Sequence, residues 1–321
     1  MKKLLLAVAV SSVAAGSASA ATIYEKDGFT YKLNGDFQVQ LRQEVGEDEN
    51  LGVDFDDLEM KNYVSYDLNN DLTAFGRVDF GFKDYANQDD EGEEDLLEEA
   101  YVGMKYGVAS FSFGKQNFAS DEFGIEESVE LDSDEDQFDR QGTDGDDTLR
   151  VDVDLENVYL VASYELEAED TDSEGDEYFD VFVSTDLADL TLAAAFQQRT
   201  LQESDGGDSV DTYGVSASYD FGFMSLAADY SVSDEYEDDG DIEPETKQYN
   251  IATVLEVAST TDLALGMVNT DPDEGEDITE WYANVTYKFP SAKNVRLFAE
   301  IGDTDEDDVD MGYLAGMRVK F

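Results

Sequence analysis

The chain has 321 residues, no cysteine and no histidine, and 79 acidic against 19 basic residues, for a formal net charge of −60. No disulfide framework, thiolate metal site, His-containing catalytic triad or zinc site of the usual composition is open to it. A surface so negative repels nucleic acid and draws in cations, while a hydrophobic fraction of 41% sets the chain apart from a disordered acidic polymer.

Residues 1–20 read as a secretory signal peptide. Lys2 and Lys3 form a positive start, residues 4–15 an apolar stretch, and Ala18, Ser19 and Ala20 a small-residue cleavage site. The mature domain is then 21–321, and the loss of two lysines takes its charge near −62.

From there, apolar residues recur with period two in short segments, as in strands with two unlike faces. In 29–45 one face carries Tyr31, Leu33, Gly35, Phe37, Val39 and Leu41, and the other Lys32, Asn34, Asp36, Gln38, Gln40 and Arg42. Fifteen further strands are expected at 58–69, 72–82, 97–106, 108–115, 148–155, 158–166, 178–185, 190–197, 210–221, 223–232, 247–257, 262–268, 278–289, 295–303 and 309–321. Links of a few residues alternate with longer acidic ones at 46–57, 83–96, 116–147, 167–177, 198–209, 233–246, 269–277 and 304–308.

That alternation of short turns with long loops is the pattern of an all-β, up-and-down, antiparallel transmembrane barrel of sixteen strands. The even count puts both termini on the short-turn, periplasmic side. A soluble sandwich or lipocalin-like barrel is the competing architecture, because alternation alone does not say which face points inward. Sixteen strands make a barrel too wide for side chains to fill, so the apolar face should point out to lipid and the polar face line water. Aromatics near strand ends (Tyr66, Phe80, Tyr106, Phe113, Tyr164, Phe221, Tyr287, Phe289, Tyr313 and Phe321) suit the interfacial girdles of such a barrel.

Within the expected lumen, Arg42, Lys61, Arg77 and Arg150 fall on polar faces of early strands. The longest link, 116–147, carries Asp121, Glu122, Glu126 and Glu127, followed by Glu130, Asp132, Asp134, Glu135 and Asp136. Loop carboxylates set across from that basic wall would create a transverse field in a narrow aqueous gap. The plainer alternative is that the arginines only neutralise interior acids such as Asp79 and Asp152.

The chain resembles the Gram-negative general porins, in particular their marine gammaproteobacterial branch. The resemblance is carried by ATIYEKDGFTYKLNGDFQVQLR at 21–42, EEAYVGMKYGVASFSFGKQ at 98–116, DEFG at 121–124 in the following loop, and a last strand ending in Phe321. It implies a homotrimer of barrels in the outer membrane, among lipid and lipopolysaccharide, each barrel narrowed by an inward-folded third loop. It carries the constriction over to Asp121, Glu122 and the arginines, and gives residues 83–96 the position of a subunit latch. It also implies that Tyr313, Met317, Val319 and Phe321 form a signal for the outer-membrane assembly machinery.

The acidic runs at 47–49, 89–95, 169–177, 235–241 and 303–308 suit solvated loops in saline water. Divalent-cation binding is the alternative. Asp170, Asp172, Glu174 and Gly175 begin like an EF-hand loop, but Val181 stands where a bidentate Glu is needed, so no metal site is assigned. The expected function is passive diffusion of cations and small hydrophilic solutes, with no cofactor and no catalytic residue. A substrate-specific porin is the nearest alternative, although the inward aromatics Tyr63, Phe75, Tyr101 and Phe182 form no evident track. An adhesin or structural barrel with calcium-binding loops is the second, and an enzyme the weakest.

Overall fold

The computed structural model describes residues 21–69, 71–87, 96–131, 136–166, 175–201, 209–236, 242–273 and 275–321. The expected signal peptide at 1–20 lies outside them. So do Asp132, Asp134 and Glu135, the loop residues Asp170, Asp172 and Glu174, and the runs 89–95 and 237–241.

Seventeen strands form one sheet: β1 (Ala21–Lys26), β2 (Phe29–Gln43), β3 (Gly52–Asp67), β4 (Leu72–Gly81), β5 (Leu97–Tyr106), β6 (Ala109–Asn117), β7 (Asp144–Asp154), β8 (Val158–Glu165), β9 (Glu177–Leu187), β10 (Leu190–Thr200), β11 (Ser209–Asp220), β12 (Met224–Tyr236), β13 (Ile242–Ala258), β14 (Thr261–Pro272), β15 (Ile278–Phe289), β16 (Ala292–Thr304) and β17 (Gly312–Lys320). Among the described residues of the links are two short α-helices, α1 (Lys83–Asn87) and α2 (Gln137–Gln141), and a 3-10 turn at Ser120–Glu122. From β2 onward each strand pairs antiparallel with the next, and β17 returns to β2 with Tyr313 opposite Gln43 and Lys320 opposite Asp36. Closure leaves the sixteen-stranded barrel without a free edge.

Burial runs opposite to that of a soluble sheet, and this decides which face is inside. Along β2, Leu41 is 51% exposed and Gln40 2%; on β11, Val215 is 56% exposed and Thr212 0%. The apolar stripe therefore faces outward, as the alternation and strand number led us to expect. Aromatic pairs mark its rims: Phe29 against Tyr66 (centroids 4.9 Å), Tyr219 against Phe221 (4.6 Å), and Tyr230 against Tyr249 (5.0 Å). Tyr313, Met317 and Phe321 are likewise exposed on the outer face, with Phe321 edge-on to Phe37 at 5.3 Å. The Phe321 ring lies over Gly35, where a Cβ would come within 2.1 Å of it. Backbone bonds between Gly35 and Phe321, 2.8 and 2.9 Å, seal the last register of the barrel.

The sixteen expected strands are all present; several run a few residues longer than expected, as β7 from Asp144, β13 from Ile242 and β14 to Pro272, and two differences are larger. Residues 21–26 form an additional strand, β1, joined to β2 through Asp27 and Gly28, both at positive φ (52° and 82°). An Asp-Gly pair of that conformation is a preferred two-residue hairpin turn. Because Ala21 pairs with Leu33, β1 takes up the edge of β2 that β17 leaves beyond Phe321. Secondly, β3 begins at Gly52 rather than 58, with Val53 opposite Leu41 and Asp54 opposite Gln40. Acidic residues there keep their backbone pairing past the apolar band, where the hydrophobic period no longer marks the strand.

Candidate pore constriction

The third loop, 118–143, leaves β6 and turns into the barrel. At its base the Phe118 N–H donates to the Thr143 carbonyl (2.6 Å) and the Ala119 N–H to the Ser163 hydroxyl on β8 (2.7 Å). Arg150 on β7 fastens the same point. Its guanidinium donates to the carbonyls of Asn117 (3.1 Å) and Phe118 (2.9 Å), and to the carboxylates of Glu122 (2.5 Å) and Asp152 (3.0 Å). Gln197 on β10 ties the two ends of the loop together, donating to the Ser120 hydroxyl (3.0 Å) and the Gly142 carbonyl (2.8 Å).

Beyond this base the loop is held by packing. Ala119, Phe123 and Phe138 pack on Val161, Phe182 and Ala195 of the wall. The two Phe rings rest on Gly214 of β11, where a Cβ would come within 2.6 Å of both. Burying each ring contributes about 1.5–3 kcal/mol. The cluster is the loop's anchorage to a barrel that has no conventional core.

The tip is held by polar bonds to the far wall. Tyr282 on β15 accepts from the Glu127 N–H (2.7 Å), and Asn284 donates to the Glu127 carbonyl (2.6 Å). Glu300 on β16 accepts from the N–H groups of Val129 (2.7 Å), Glu130 (2.9 Å) and Leu131 (3.0 Å), from the Ser128 hydroxyl (3.2 Å), and from Asn284 (2.9 Å). Leu131 packs on Phe298 and Leu314 beside it. Glu130 then reaches Arg42 on β2, its carbonyl accepting at 2.9 Å and its carboxylate at 3.4 Å. On the return, Gln137 donates its backbone N–H to Ser231 (3.1 Å) and its side chain to Gln248 (2.7 Å). Among the described residues none of these contacts falls on β4 or β5.

Arg77 on β4 is held there by Asp79 (2.5 Å) and by Glu99 of β5 (2.6 Å), and Lys61 on the neighbouring β3 pairs with Glu59. Next to it Arg42 also meets Asp54 at 3.4 Å, and Arg318 meets Asp36 (2.6 Å) and Asp57. Each of these four basic side chains is thus held by at least one carboxylate. In the loop, Asp121 accepts from the Asn117 side chain at 2.7 Å, yet burial pushes its carboxyl up to about 6. Glu130 is pushed up to about 9, by burial and then by its hydrogen bond to Asp56, against the pull of Arg42.

A family model described as Gram-negative porin matches residues 6–309. The chain belongs to the Gram-negative porin family. A similar curated protein is the porin-like protein H of Photobacterium profundum, 27% identical across the full length of both chains. A major outer membrane protein of Pasteurella multocida is 34% identical over 39% of this chain and 38% of its own. Among solved structures, OmpT of Vibrio cholerae in a trimer form superposes with a TM-score of 0.75 at 19% identity, covering 92% of this chain and all of that one. Salmonella typhi OmpF in complex with daunomycin gives 0.74 at 17% identity, covering 94% and 100%. At these identities the structural likeness speaks for the fold alone. Family and barrel together place the porin in the outer membrane.

The expected site residues separate into two groups. Arg150 and Glu122 meet directly under the loop base, 4% and 3% exposed, rather than facing each other across an aqueous gap. Asp121 lies beside them. Arg42, Lys61 and Arg77 lie on the wall, and Glu127 is exposed on the loop. Glu126 accepts from the Ile125 N–H at 2.9 Å and hydrogen-bonds Asp229 of β12. Of the inward aromatics, Phe182 lies under the loop, while Phe75 stacks on Tyr63 (6.2 Å) and meets Tyr101 edge-on (6.4 Å). Val181 is a strand residue of β9 and not a loop ligand. Sequence reasoning missed Gln197, Tyr282, Asn284 and Glu300. Their inward parity was legible, but nothing local marks them as loop anchors.

Proposed function

We propose that this porin is a water-filled channel for passive diffusion of ions and small hydrophilic solutes, preferring cations and working as a homotrimer. The observation that carries the reading is the pairing of each of the four predicted basic side chains with a carboxylate: Arg42 with Asp54, Lys61 with Glu59, Arg77 with Asp79, and Arg150 with Glu122 and Asp152. A wall neutralised in this way presents little net positive potential, so the surplus acids of loop and vestibule set the sign of the field. Cations are then enriched where the aperture is narrowest, and anions partition out.

In this mechanism Arg42, Lys61 and Arg77 with their carboxylates form one side of the aperture, and Glu126 and Glu127 stand on the loop side. Arg150, Glu122 and Asp121 fasten the loop and so set the aperture's width. Export by a cleaved signal peptide, contact with lipopolysaccharide, and reading of Tyr313, Met317, Val319 and Phe321 by the assembly machinery complete the proposal.

The test is single-channel recording in planar bilayers under a salt gradient. Stepwise openings in threes with a reversal potential on the cation side are expected. Folded, heat-modifiable protein that does not conduct would overturn the open channel, and an anion-side potential would overturn the preference.

A further inference from the structure

Three cations stand side by side on the inner wall near the short-turn end. Lys288 on β15 is opposite Arg296 on β16, and Arg296 is opposite Arg318 on β17. All three share the inward parity of the buried Phe298 and Leu314. The outer two are neutralised: Lys288 by Asp262, and Arg318 by Asp36 and Asp57. Lys320 shares Asp36 at 2.8 Å. Arg296 is different. Among the described residues no carboxylate pairs with it, and its Nε is enclosed without an acceptor. By contrast Arg42, Arg77, Arg150, Arg199 and Arg318 each hold an acid.

A guanidinium carries five donors and stays charged, so one that spends none of them on the protein is held ready for an acceptor from outside. Arg296 is half-buried, which leaves its outer Nη edge to the lumen. The planar pair of Nη groups matches the two oxygens of a carboxylate. Arg296 is four positions before Glu300, which holds the loop tip, so it stands about 13 Å along β16 and, with the strand tilt, about 10 Å down the barrel toward the short turns. With its neighbours already paired, the sector favours a single negative charge; a dianion would also meet Asp36, Asp57 and Asp262.

We propose that Arg296, flanked by Lys288 and Arg318, binds the carboxylate group of small hydrophilic solutes between the third loop and the short-turn mouth. In a channel that otherwise disfavours anions, such a site gives monocarboxylates and zwitterions a foothold that chloride uses less well, since chloride cannot engage both Nη groups in the same planar geometry.

The proposal rests on the open-channel reading, and potassium chloride conductance tests that reading separately. In bilayers with potassium lactate replacing the chloride salt, the reversal potential gives the lactate-to-potassium permeability ratio. Arg296→Gln should lower this ratio about three- to tenfold, the range for removing one unit charge a few ångström from the path in a partly aqueous pore. Arg296→Lys, which keeps the charge but not the fork, should fall between the two. An unchanged ratio in an Arg296→Gln channel that still conducts chloride salt overturns the site. If that variant does not fold, the native porin supplies the answer. Lactate added at constant ionic strength should reduce its conductance along a saturating curve, and a strictly linear response overturns binding. Succinate dianion binding more tightly than lactate would overturn the single-charge class.

Discussion

Arg150 and Glu122 meet at 2.5 Å in a space closed to solvent, and the same guanidinium bonds the carbonyls of Asn117 and Phe118 at the root of the third loop. The charge pair therefore acts as a fastener between β7 and the loop. Removing one partner of a buried pair leaves the other charge uncompensated, at a cost of about 3–5 kcal/mol. Arg150→Ala should release the loop base, giving faster proteolysis between 118 and 143 and a noisier open level in single-channel records. A variant indistinguishable from the native porin in both would contradict the fastener.

The loop tip depends on Glu300. Hydrogen bonds to a charged group contribute about 1.5–3 kcal/mol each, and Glu300 accepts from four consecutive loop residues. Glu300→Gln turns one acceptor oxygen into a donor facing N–H groups, so it should loosen the tip nearly as much as Glu300→Ala. Conductance should rise in both, with heat-modifiability of the barrel retained. Native conductance in Glu300→Ala would show that packing of Leu131 is sufficient to hold the tip.

The pH response follows from Asp121 and Glu130. Both carboxyls hold their proton more tightly in the docked loop than in a free chain, at about 6 and about 9. Docking is therefore strongest below the ordinary carboxyl range of about 4 and weakens as pH rises, first through 6 and then through 9. Single-channel conductance should increase with pH in two steps. Glu130→Gln should abolish the upper step and leave the lower one, and a single step in the native porin would refute the assignment.

Packing of the loop makes Gly214 restrictive. A Cβ there would lie 2.6 Å from both the Phe123 and Phe138 rings, and overpacking of this kind costs about 1–3 kcal/mol. Gly214→Ala should shift the loop and broaden the distribution of open levels. The same substitution at Gly52, which has open space around its Cβ position, should have no effect on either readout.

The proposed cation preference should weaken with salt. The Debye length is about 10 Å at 0.1 M and about 3 Å at 1 M, so the reversal potential for a fixed concentration ratio should shrink as both baths are made more concentrated. Glu126→Gln with Glu127→Gln should reduce it further at low salt. A potential independent of ionic strength would point to size exclusion rather than charge.

Much of this was legible in the residues because a strand has a period of two. Parity alone put Arg42, Lys61, Arg77 and Arg150 on the inner face, and the barrel agrees, with Lys61 opposite Asp79 and Arg150 opposite Ser112. The six residues of β1 escaped, although Asp27 and Gly28 carried the hairpin signal. The start of β3 escaped as well, because its acidic residues pair by backbone beyond the apolar band.

What parity could not supply was partnership. Glu130 and Glu300 are 170 residues apart, and Arg318 and Asp36 are 282; the first pair forms because the third loop turns inward to β16, the second because β17 and β2 become neighbours when the barrel closes. The sequence by itself determined a sixteen-stranded barrel with an apolar outside and a charged inside, since those properties follow from local alternation and turn length. Only the tertiary structure decided that Arg150 fastens a loop while Arg296 stands without an acid among the described residues, because pairing among distant charges depends on which strands and loops the closed barrel brings together.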